Sequence, residues 1–273
     1  MARPKIIAHC LVKNEEKWVW YAIKSVLNYV DKILVWDTGS TDSTVDIIQS
    51  ISDPKISFKQ IGEVDINGFT KARQQMLDES SSADWIMLLD GDEIWPTEAI
   101  QEAIDLITNS PHNYEYLVNP YYNLVGDVYH YQNPKIGEYH IGRYSGNITI
   151  RFINIKKIQG LHYSLPYGKE GLFDSSEIPI QDRSQENTTI CSNLYLHATH
   201  LRRSSYDNRV MQRKRKYKYE IGLIVPDTFL YPHCFYLPNP NFISSLWKKR
   251  DLIFAMESFF LSPLIHIKRK IFS

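Results

Sequence analysis

The sequence predicts an α/β fold built on a mostly parallel sheet, and three observations support this prediction. Short, β-rich apolar runs alternate with amphipathic segments through the first 110 residues. Each apolar run ends in a polar loop, as expected for strands that deliver side chains to one edge of a sheet. After Pro111 the sequence changes to tyrosine-rich strands punctuated by glycine. This order predicts a Rossmann-like half flanked by helices, followed by a half with mixed strand directions.

The first two strand and helix pairs follow from the spacing of apolar residues. "KIIAHCLV" is a compact apolar run that ends at the polar "KNEE", and "KWVWYAIKSVLNYV" places apolar residues three and four apart, as one face of a helix requires. "DKILVWD" predicts the second strand. "GSTDSTVDIIQSI" then opens with Ser, Thr and Asp, which cap helices, before its own apolar residues.

The third and fourth pairs repeat this order. "KISFKQIG" predicts the third strand, "GFTKARQQMLDES" the third helix and "DWIMLLD" the fourth strand. In "PTEAIQEAIDLITNS", Pro96 suits the first turn of the fourth helix. We therefore divide the chain into an α/β half over residues 1–110, a second half of the same domain over residues 111–222, and a C-terminal, helical extension over residues 223–273.

Composition and charge exclude several classes of protein. The chain has 273 residues, of which 43% are hydrophobic, and this is enough for a sizeable core. Lys and Arg together number 31, as do Asp and Glu, so no net charge argues for a nucleic-acid partner. Three widely spaced cysteines support neither a disulfide framework nor a zinc site, and we expect reduced, intracellular thiols. No apolar run is long enough for a signal-peptide core or a membrane span.

The motif Asp37-Thr-Gly-Ser raises the question of an aspartic protease. Such an enzyme needs two loops of this type, because two carboxylates share one proton there. The sequence contains no second loop, and its alternation of strands and helices belongs to a different fold class. Asp37 instead follows the second strand, at the edge where open α/β sheets bind ligands. Its alternative role is to cap the helix that follows.

A second acidic cluster follows the fourth strand in "WIMLLDGDEIWP". Asp90, Asp92 and Glu93 leave this apolar strand together. Crowded carboxylates raise one another's pKa unless a cation lies among them. A divalent ion such as Mg²⁺ or Mn²⁺, held by one or two carboxylates and by phosphate oxygens of a substrate, removes the repulsion. The alternative is a solvated acidic turn before the fourth helix.

These motifs resemble those of the family 2 glycosyltransferases, which have the GT-A fold and use nucleotide-diphospho-sugars with inversion. "AHCLVKNEEKWVW" and the later "DTGSTDST" are similar to the family's opening, and "GFTKARQQMLDESSSADWIMLLDGDEIWP" is similar to its next block. "RFINIKKIQGLHYSL" and "NLYLHATHLRRSSYDNRVMQRKRKY" resemble weaker downstream blocks. The resemblance implies that residues 1–110 bind the nucleotide-sugar and that residues 111–222 complete the metal and acceptor sites.

For the donor, the resemblance implies a role at each matching position. Asp37 contacts the nucleotide base, and the turn after Val12 walls that base. Arg73 and Lys71 bind the nucleoside or its phosphates, and Asp90 faces the ribose or the metal shell. As alternatives, Lys71 and Arg73 are ordinary solvated helix positions.

For the metal and the acceptor, the resemblance implies a second set of residues. Asp92 and His197 hold Mn²⁺ or Mg²⁺ at the diphosphate, where a cation stabilises the leaving group. Arg151 and Tyr163 contact the hydroxyl acceptor. As alternatives, His197 is structural, and the tyrosines of the second half pack in the core rather than on a sugar ring; these are Tyr121, Tyr122, Tyr129 and Tyr131.

The catalytic base departs from the family pattern. The related branch has Gly-x-x-His-Glu, in which the Glu is a candidate base, whereas "GLHYSL" has Tyr163 at that position. The base is therefore unassigned: His162 could serve, since an imidazole titrates near neutral pH, and Asp174 and Glu177 in the following loop are the alternatives. This departure also allows a non-catalytic nucleotide-binding or sugar-binding relative. A phosphotransferase with Asp37 as nucleophile is disfavoured, because it needs another Asp two positions later.

The C-terminal region leads to a separate prediction. "RRSSYDNRVMQRKRKYKYE" is basic with interleaved tyrosines, and "SLWKKRDLIFAMESFFLSPLIHIKRKIFS" places Lys and Arg at both ends of an apolar stretch. This pattern predicts a cytoplasmic protein in peripheral contact with an anionic membrane, at its inner face. The alternatives are a helix that packs on the domain and a homodimer contact.

Overall fold

The computed structural model of the 273-residue chain describes residues 3–110, 112, 114–202 and 218–272, except for the side chains of residues 264 and 266–272. The first basic stretch of the C-terminal prediction, at residues 202–220, lies mostly outside the described residues.

The first half alternates strands and helices as predicted. Its strands are β1 (Ile6–Val12), β2 (Lys32–Asp37), β3 (Ile56–Gln60), β4 (Trp85–Leu88) and β5 (Glu93–Ile94). Its helices are α1 (Val19–Val26), α2 (Thr44–Gln49), α3 (Ile66–Glu79) and α4 (Thr97–Asn109). The short strand β5 is the one element of this list that the sequence did not predict.

The second half has mixed strand directions, as predicted. Its strands are β6 (Tyr116–Asn123), β7 (His130–Tyr131), β8 (Tyr139–Ile141), β9 (Tyr144–Gly146), β10 (Ile148–Asn154), β11 (His162–Ser164), β12 (Gly171–Phe173), β13 (Thr188–Ile190), β14 (Tyr195–His197) and β15 (Leu223–Ile224). Short 3₁₀ helices span Ile180–Asp182, Gln185–Asn187 and His233–Phe235, and the last helix is α5 (Leu252–Phe272). Three antiparallel pairs, β11 with β12, β7 with β15 and β8 with β9, lie outside the main sheet.

The main sheet has nine strands in the order β3-β2-β1-β4-β10-β6-β14-β5, with β13 also paired to β6. Strands β1 to β4 are parallel, and β6, β13 and β14 run in the same direction. Strands β10 and β5 run antiparallel to their neighbours. The sheet therefore contains strands from both sides of residue 110, and the carboxyl ends of β1, β2 and β4 meet at one edge.

Strand β1 is buried on both faces, which explains its continuous apolar sequence. Ala8 and Cys10 pack on the side of α1 and α4. Ile7 and Leu11 pack on the opposite side, against α3. The two helical layers thus fix β1 at the centre of the fold, and the turn that follows it has a rigid base.

The C-terminal extension packs on the domain up to the first turns of α5. The ring of Tyr21 on α1 contacts the ring of Phe235. The Tyr21 hydroxyl donates a hydrogen bond to the carbonyl of Ser244 at 3.0 Å. Phe254 of α5 is buried, and it lies so close to Gly126 that an added Cβ would meet its ring at 2.6 Å. Beyond this contact, α5 exposes large apolar side chains. Within the described residues, no helix combines the length and apolarity that a membrane crossing requires.

We expect His9 to make stability depend on pH. His9 is buried on β1, where it contacts Ser80 Oγ at 2.7 Å, and burial lowers its pKa to about 3, with a contribution from nearby Arg73. Between pH 6.5 and pH 3 the unfolded chain binds a proton that the folded chain does not. The folded state therefore loses stability as the pH falls through this range. The free energy of unfolding should fall by about 2 kcal/mol from this group between pH 7 and pH 5. Urea denaturation at both pH values measures this loss, and His9→Gln should remove it; an unchanged pH dependence in the variant contradicts the assignment.

Candidate active site

Two turns at the carboxyl ends of β1 and β2 hold each other in place. Asn14 has a left-handed backbone, with φ of 53°, which Asn tolerates better than most residues. Its side-chain oxygen accepts a hydrogen bond from the amide of Thr41 at 2.7 Å, and its own amide donates to Ser40 Oγ at 2.8 Å. The Lys-Asn-Glu-Glu turn and the Asp-Thr-Gly-Ser turn are thus one unit, which we call the paired turns (residues 13–16 and 37–44).

Asp37 organises the second of these turns. It is 1% exposed, and its carboxylate accepts hydrogen bonds from the amides of Gly39 and Ser40, both at 3.0 Å. Gly39 has a φ of +82°, a conformation that favours glycine. The N-cap residue of α2 is Ser43, so the alternative that Asp37 caps this helix is wrong.

The loop after β4 contacts the paired turns through glycine. A Cβ on Gly91 would meet Val12 Cγ1 at 2.9 Å and Glu15 Cγ at 3.0 Å. Glycine therefore allows the Asp90-Gly-Asp92 loop to approach the end of β1 closely. This contact brings the two acidic motifs of the sequence to the same edge of the sheet.

Asp90 lies between two arginines. Its Oδ1 is 3.4 Å from a guanidinium nitrogen of Arg73 on α3, and its Oδ2 is 3.0 Å from a guanidinium nitrogen of Arg151 on β10. Helix α3 begins at its N-cap Asp65, whose carboxylate accepts from two amides, and Arg73 follows two turns later. Since β10 is antiparallel to β4, Arg151 is carried back to the exit of β4.

Glu93 is fully buried beneath this group. Its carboxylate pairs with Arg151 and accepts a hydrogen bond from the Tyr195 hydroxyl at 2.9 Å. Burial raises the pKa of Glu93, and the guanidinium of Arg151 acts against that rise. Burial also acts to lower the pKa of Arg151, yet the charge of Glu93 raises it well above its usual value. The third carboxylate of the cluster thus binds an arginine and a tyrosine inside the protein.

Asp92 and His197 come together at the exits of β4 and β14. Strand β14 pairs antiparallel with β5, and the His197 Nε2 atom lies 3.6 Å from Asp92 Oδ2. Asp92 is 4% exposed. No cluster of three or more His, Cys, Asp or Glu suited to a metal is present in the described part of the chain. Two protein ligands and substrate phosphate oxygens are a set that Mg²⁺ or Mn²⁺ accepts, so the residues fit such an ion.

Two joined cavities lie beside these residues. The smaller, of 170 Å³, is lined by the end of β1, Thr38, Asp92 and Thr199. The larger, of 740 Å³, lies against β10 and the loop that precedes β12. The two cavities share five lining residues, Arg73, Asp90, Tyr167, Glu170 and His197. The charged group therefore lies at their junction.

Not all of the predicted site residues lie here. Lys71 is exposed on α3 and lines neither cavity. His162 lies on β11, and its Nε2 atom is 3.4 Å from a carboxylate oxygen of Glu177. Asp174 pairs with Arg183 and accepts amide hydrogen bonds from its own loop. None of these four side chains lines the cavities, whereas Arg151 and Tyr163 line the larger one.

The tyrosines divide between the core and the cavity. Tyr121 is buried and also lines the larger cavity. The rings of Tyr122 and Tyr131 contact each other at a tilt, with centroids 4.1 Å apart, and Tyr129 packs on Trp247. Tyr122 and Tyr129 pack against the core, and of these four tyrosines only Tyr121 lines the larger cavity.

Sequence reasoning missed Glu170 and the loop that carries it. Tyr167 packs on Phe69 of α3 with ring centroids 4.6 Å apart, and its amide donates to the carbonyl of Ile66 at 3.0 Å. Thr70 Oγ1 donates to the carbonyl of Leu165 at 2.7 Å. These contacts hold the loop on α3 and bring Glu170 to both cavities. The segment "PYGKEG" gives no periodic signal, so only the structure reveals this position.

The fold and the site define an α/β protein with a polar cleft at the carboxyl edge of its sheet, and a comparison with family models gives its family. The model described as glycosyl transferase family 2 matches residues 11–163. This match covers more than half of the chain, and the chain belongs to that family. This match confirms the family resemblance inferred from the sequence. The GT-A fold class is also confirmed, and the mostly parallel, helix-flanked sheet agrees with it.

Curated relatives match less than half of the chain. An uncharacterized glycosyltransferase of Rickettsia felis is 34% identical over 113 residues, which is 41% of this chain and 37% of that protein. The glycosyltransferase SunS of Bacillus subtilis is 32% identical over 96 residues, which is 35% of this chain and 22% of that protein. The chain thus matches well under half the length of these relatives.

Solved structures show distant similarity. The S. aureus TarS structure covers 71% of this chain and 60% of its own, at 14% identity and a TM-score of 0.48. Glucosyl-3-phosphoglycerate synthase from Mycobacterium tuberculosis, solved with Mn²⁺, uridine diphosphate and phosphoglyceric acid, covers 43% of each chain at 21% identity and a TM-score of 0.35.

We expect Arg151 to stabilise the fold through Glu93. Arg151→Met leaves a buried carboxylate without its cation, so the free energy of unfolding should fall by about 3 kcal/mol. The double variant with Glu93→Gln should recover most of this loss, because no buried charge then lacks a partner. Urea denaturation measures both.

Lys135→Met, at an exposed position between β7 and β8, also removes one positive charge and is the control; it should change stability by less than about 0.5 kcal/mol. If Arg151→Met and the control are alike, the buried pair does not have this role.

Proposed function

We propose that the chain is an inverting glycosyltransferase of glycan biosynthesis that moves a sugar from a nucleotide-diphospho-sugar to a hydroxyl acceptor. One observation carries this proposal. The paired turns, the Asp90-Gly-Asp92 loop and His197 line one edge of a parallel sheet beside two joined cavities. In open α/β sheets this edge binds ligands, and family membership supports a nucleotide-sugar as that ligand.

The donor would bind in the smaller cavity. Asp37 shapes the turn that faces the base, and the end of β1 forms its wall. Arg73 contributes positive charge for the diphosphate, at the junction where the sugar passes into the larger cavity. Lys71 is exposed, and its predicted role requires a donor that extends over α3.

Asp92 and His197 would hold a divalent cation, Mn²⁺ or Mg²⁺, at the diphosphate. Such an ion stabilises the negative charge of the leaving nucleoside diphosphate. Arg73 would also stabilise the negative charge of the leaving group, because its guanidinium lies at the cavity junction beside Asp90.

The acceptor would bind in the larger cavity, with Glu170 as the base. Glu170 lines both cavities, so it can reach a hydroxyl group placed between acceptor and donor sites. It takes the hydroxyl proton while the oxygen attacks the anomeric carbon, and the bond from that carbon to the diphosphate breaks on the opposite face. His162 and Asp174 are paired away from the cavities and are weaker candidates.

The location and partners also belong to this proposal. We place the protein in the cytoplasm with a C-terminal extension in contact with an anionic membrane, or with a second copy of the chain. The exposed apolar side chains of α5 support a surface contact. No nucleic-acid partner is proposed, since the formal net charge is zero.

A panel of nucleotide-diphospho-sugars tests the donor site. We expect one donor to raise the thermal stability of the protein in the presence of Mn²⁺, since a ligand that binds the folded state stabilises it. Release of nucleoside diphosphate from that donor should fall about 100-fold in Asp92→Asn. The exposed Asp105→Asn on α4 is the control and should behave like the parent.

Stabilisation by a donor without turnover with any acceptor would favour a non-catalytic relative, for which Tyr163 in place of the expected Glu is the specific observation. No response to any donor would contradict the proposal.

Glu170→Gln tests the base. The rate of transfer should fall about 100-fold or more, because a general base contributes this much, while stabilisation by the donor stays unchanged. Glu177→Gln is the control, since Glu177 lies outside the cavities beside His162. A large loss in Glu177→Gln or in His162→Gln, with Glu170→Gln active, would give the role to the residues that the sequence suggested.

A further inference from the structure

A third cavity, of 520 Å³, lies apart from the active site. It is bordered by the start of α1, the loop that includes Asp127, Leu201 and the segment that leads into α5. It shares no lining residue with the two joined cavities. We call it the basic cavity, because five of its lining residues are basic, namely Lys17, Arg202, Lys248, Lys249 and Arg250.

Three acidic residues, Asp127, Asp251 and Glu257, also line this cavity, so its lining has two more basic than acidic side chains. Asp127 accepts hydrogen bonds from the amides of Tyr129 and Arg250 and lies 2.6 Å from the His130 ring. Asp251 accepts from the amide of Phe254 at the start of α5. Both carboxylates are thus used within the fold, and Glu257 is exposed.

Three cations of the basic cavity act on one another. Within the described residues, no ion pair joins Lys17, Arg202 or Lys248 to a carboxylate. Lys17 is partly buried, and burial lowers its pKa, as do the charges of Arg202 and Lys248, whereas the charge of Glu16 acts to raise it. These like charges border the same cavity and disfavour one another, and an anion bound there would reduce the repulsion. Phosphate, with several acceptor oxygens, is well suited to several such donors.

An apolar surface begins at the edge of the basic cavity. Ile253 lines the cavity and is 68% exposed, and Leu252 beside it is 76% exposed. Met256, Phe259 and Phe260 continue this exposed surface along α5, each more than half exposed. A cationic cavity bordered by exposed apolar side chains matches a ligand with an anionic head and an apolar tail.

We propose that the basic cavity binds the phosphate group of an anionic phospholipid while the exposed apolar residues of α5 contact its acyl chains. This goes beyond the transfer reaction, because none of these residues borders the donor or acceptor cavity. It commits the C-terminal extension to one occupant, a membrane lipid, rather than to a second copy of the chain. It also orients the domain, with α5 and the start of α1 toward the bilayer.

Co-sedimentation of the full chain with vesicles at physiological ionic strength tests the proposal. We expect binding to vesicles that contain phosphatidylserine and little binding to phosphatidylcholine alone. Lys17→Gln with Lys248→Gln should lower the partition coefficient about tenfold or more, since each basic residue at an anionic surface adds to the attraction. Lys135→Gln with Lys157→Gln removes the same charge from residues outside the cavity and should have little effect.

A second variant tests the apolar half of the surface. Phe259→Ser with Phe260→Ser should weaken binding to the same vesicles, and because both side chains are exposed the fold should be retained. Thermal denaturation checks this. The midpoint of the Lys17 and Lys248 double variant should not fall either, because the substitutions remove repulsion between like charges.

Three results would overturn the proposal. The first is equal vesicle binding by the cavity variant and its lysine control. The second is stabilisation by inorganic phosphate, lost in the cavity variant, without vesicle binding, which would mean a site for soluble phosphate. The third is a dimer in sedimentation equilibrium that Phe259→Ser with Phe260→Ser dissociates, again without vesicle binding. All of these readouts are independent of sugar transfer, so they stand whether or not a donor is turned over.

Discussion

The candidate site depends on the repulsion among three carboxylates that leave one strand within four residues. Asp90 and Glu93 are balanced by the guanidinium of Arg151, and Asp90 also by Arg73. These arginines come from a helix and from an antiparallel strand, so the charge balance forms only when the sheet is complete. Asp92 remains beside His197, where a cation and a diphosphate complete the balance in our account. The antiparallel strand β10 is therefore as necessary to the site as the parallel strands before it.

The sequence predicted the first half well because its signals are local. Apolar runs, capping residues and the acidic loops after β2 and β4 each lie within a short window, and the structure has the corresponding strands and helices. The meeting of Asp92 with His197, more than one hundred residues apart, came from the family resemblance rather than from spacing. The positions of Glu170 and of the Glu93 and Tyr195 pair could not be predicted, because they depend on how a loop docks on α3 and on how β14 pairs with β5. Lys71 was predicted at the site, but it lines neither cavity, since a helix position near a motif need not face the site.

The two proposals concern different surfaces of the same domain. The paired turns connect them, because the turn that ends β1 borders the donor cavity through Glu15, and Lys17 two residues later lines the basic cavity. A lipid bound there would hold the donor edge of the sheet at a set position relative to a bilayer.

The most direct test of the central claim is hydrogen exchange of backbone amides, with and without a nucleoside diphosphate and Mn²⁺. If the donor site lies at the edge formed by β1, β2 and β4, the paired turns and the Asp90-Gly-Asp92 loop should exchange more slowly when the ligand is bound. Slower exchange restricted to the segments around the basic cavity, with no change in the paired turns, would contradict the account.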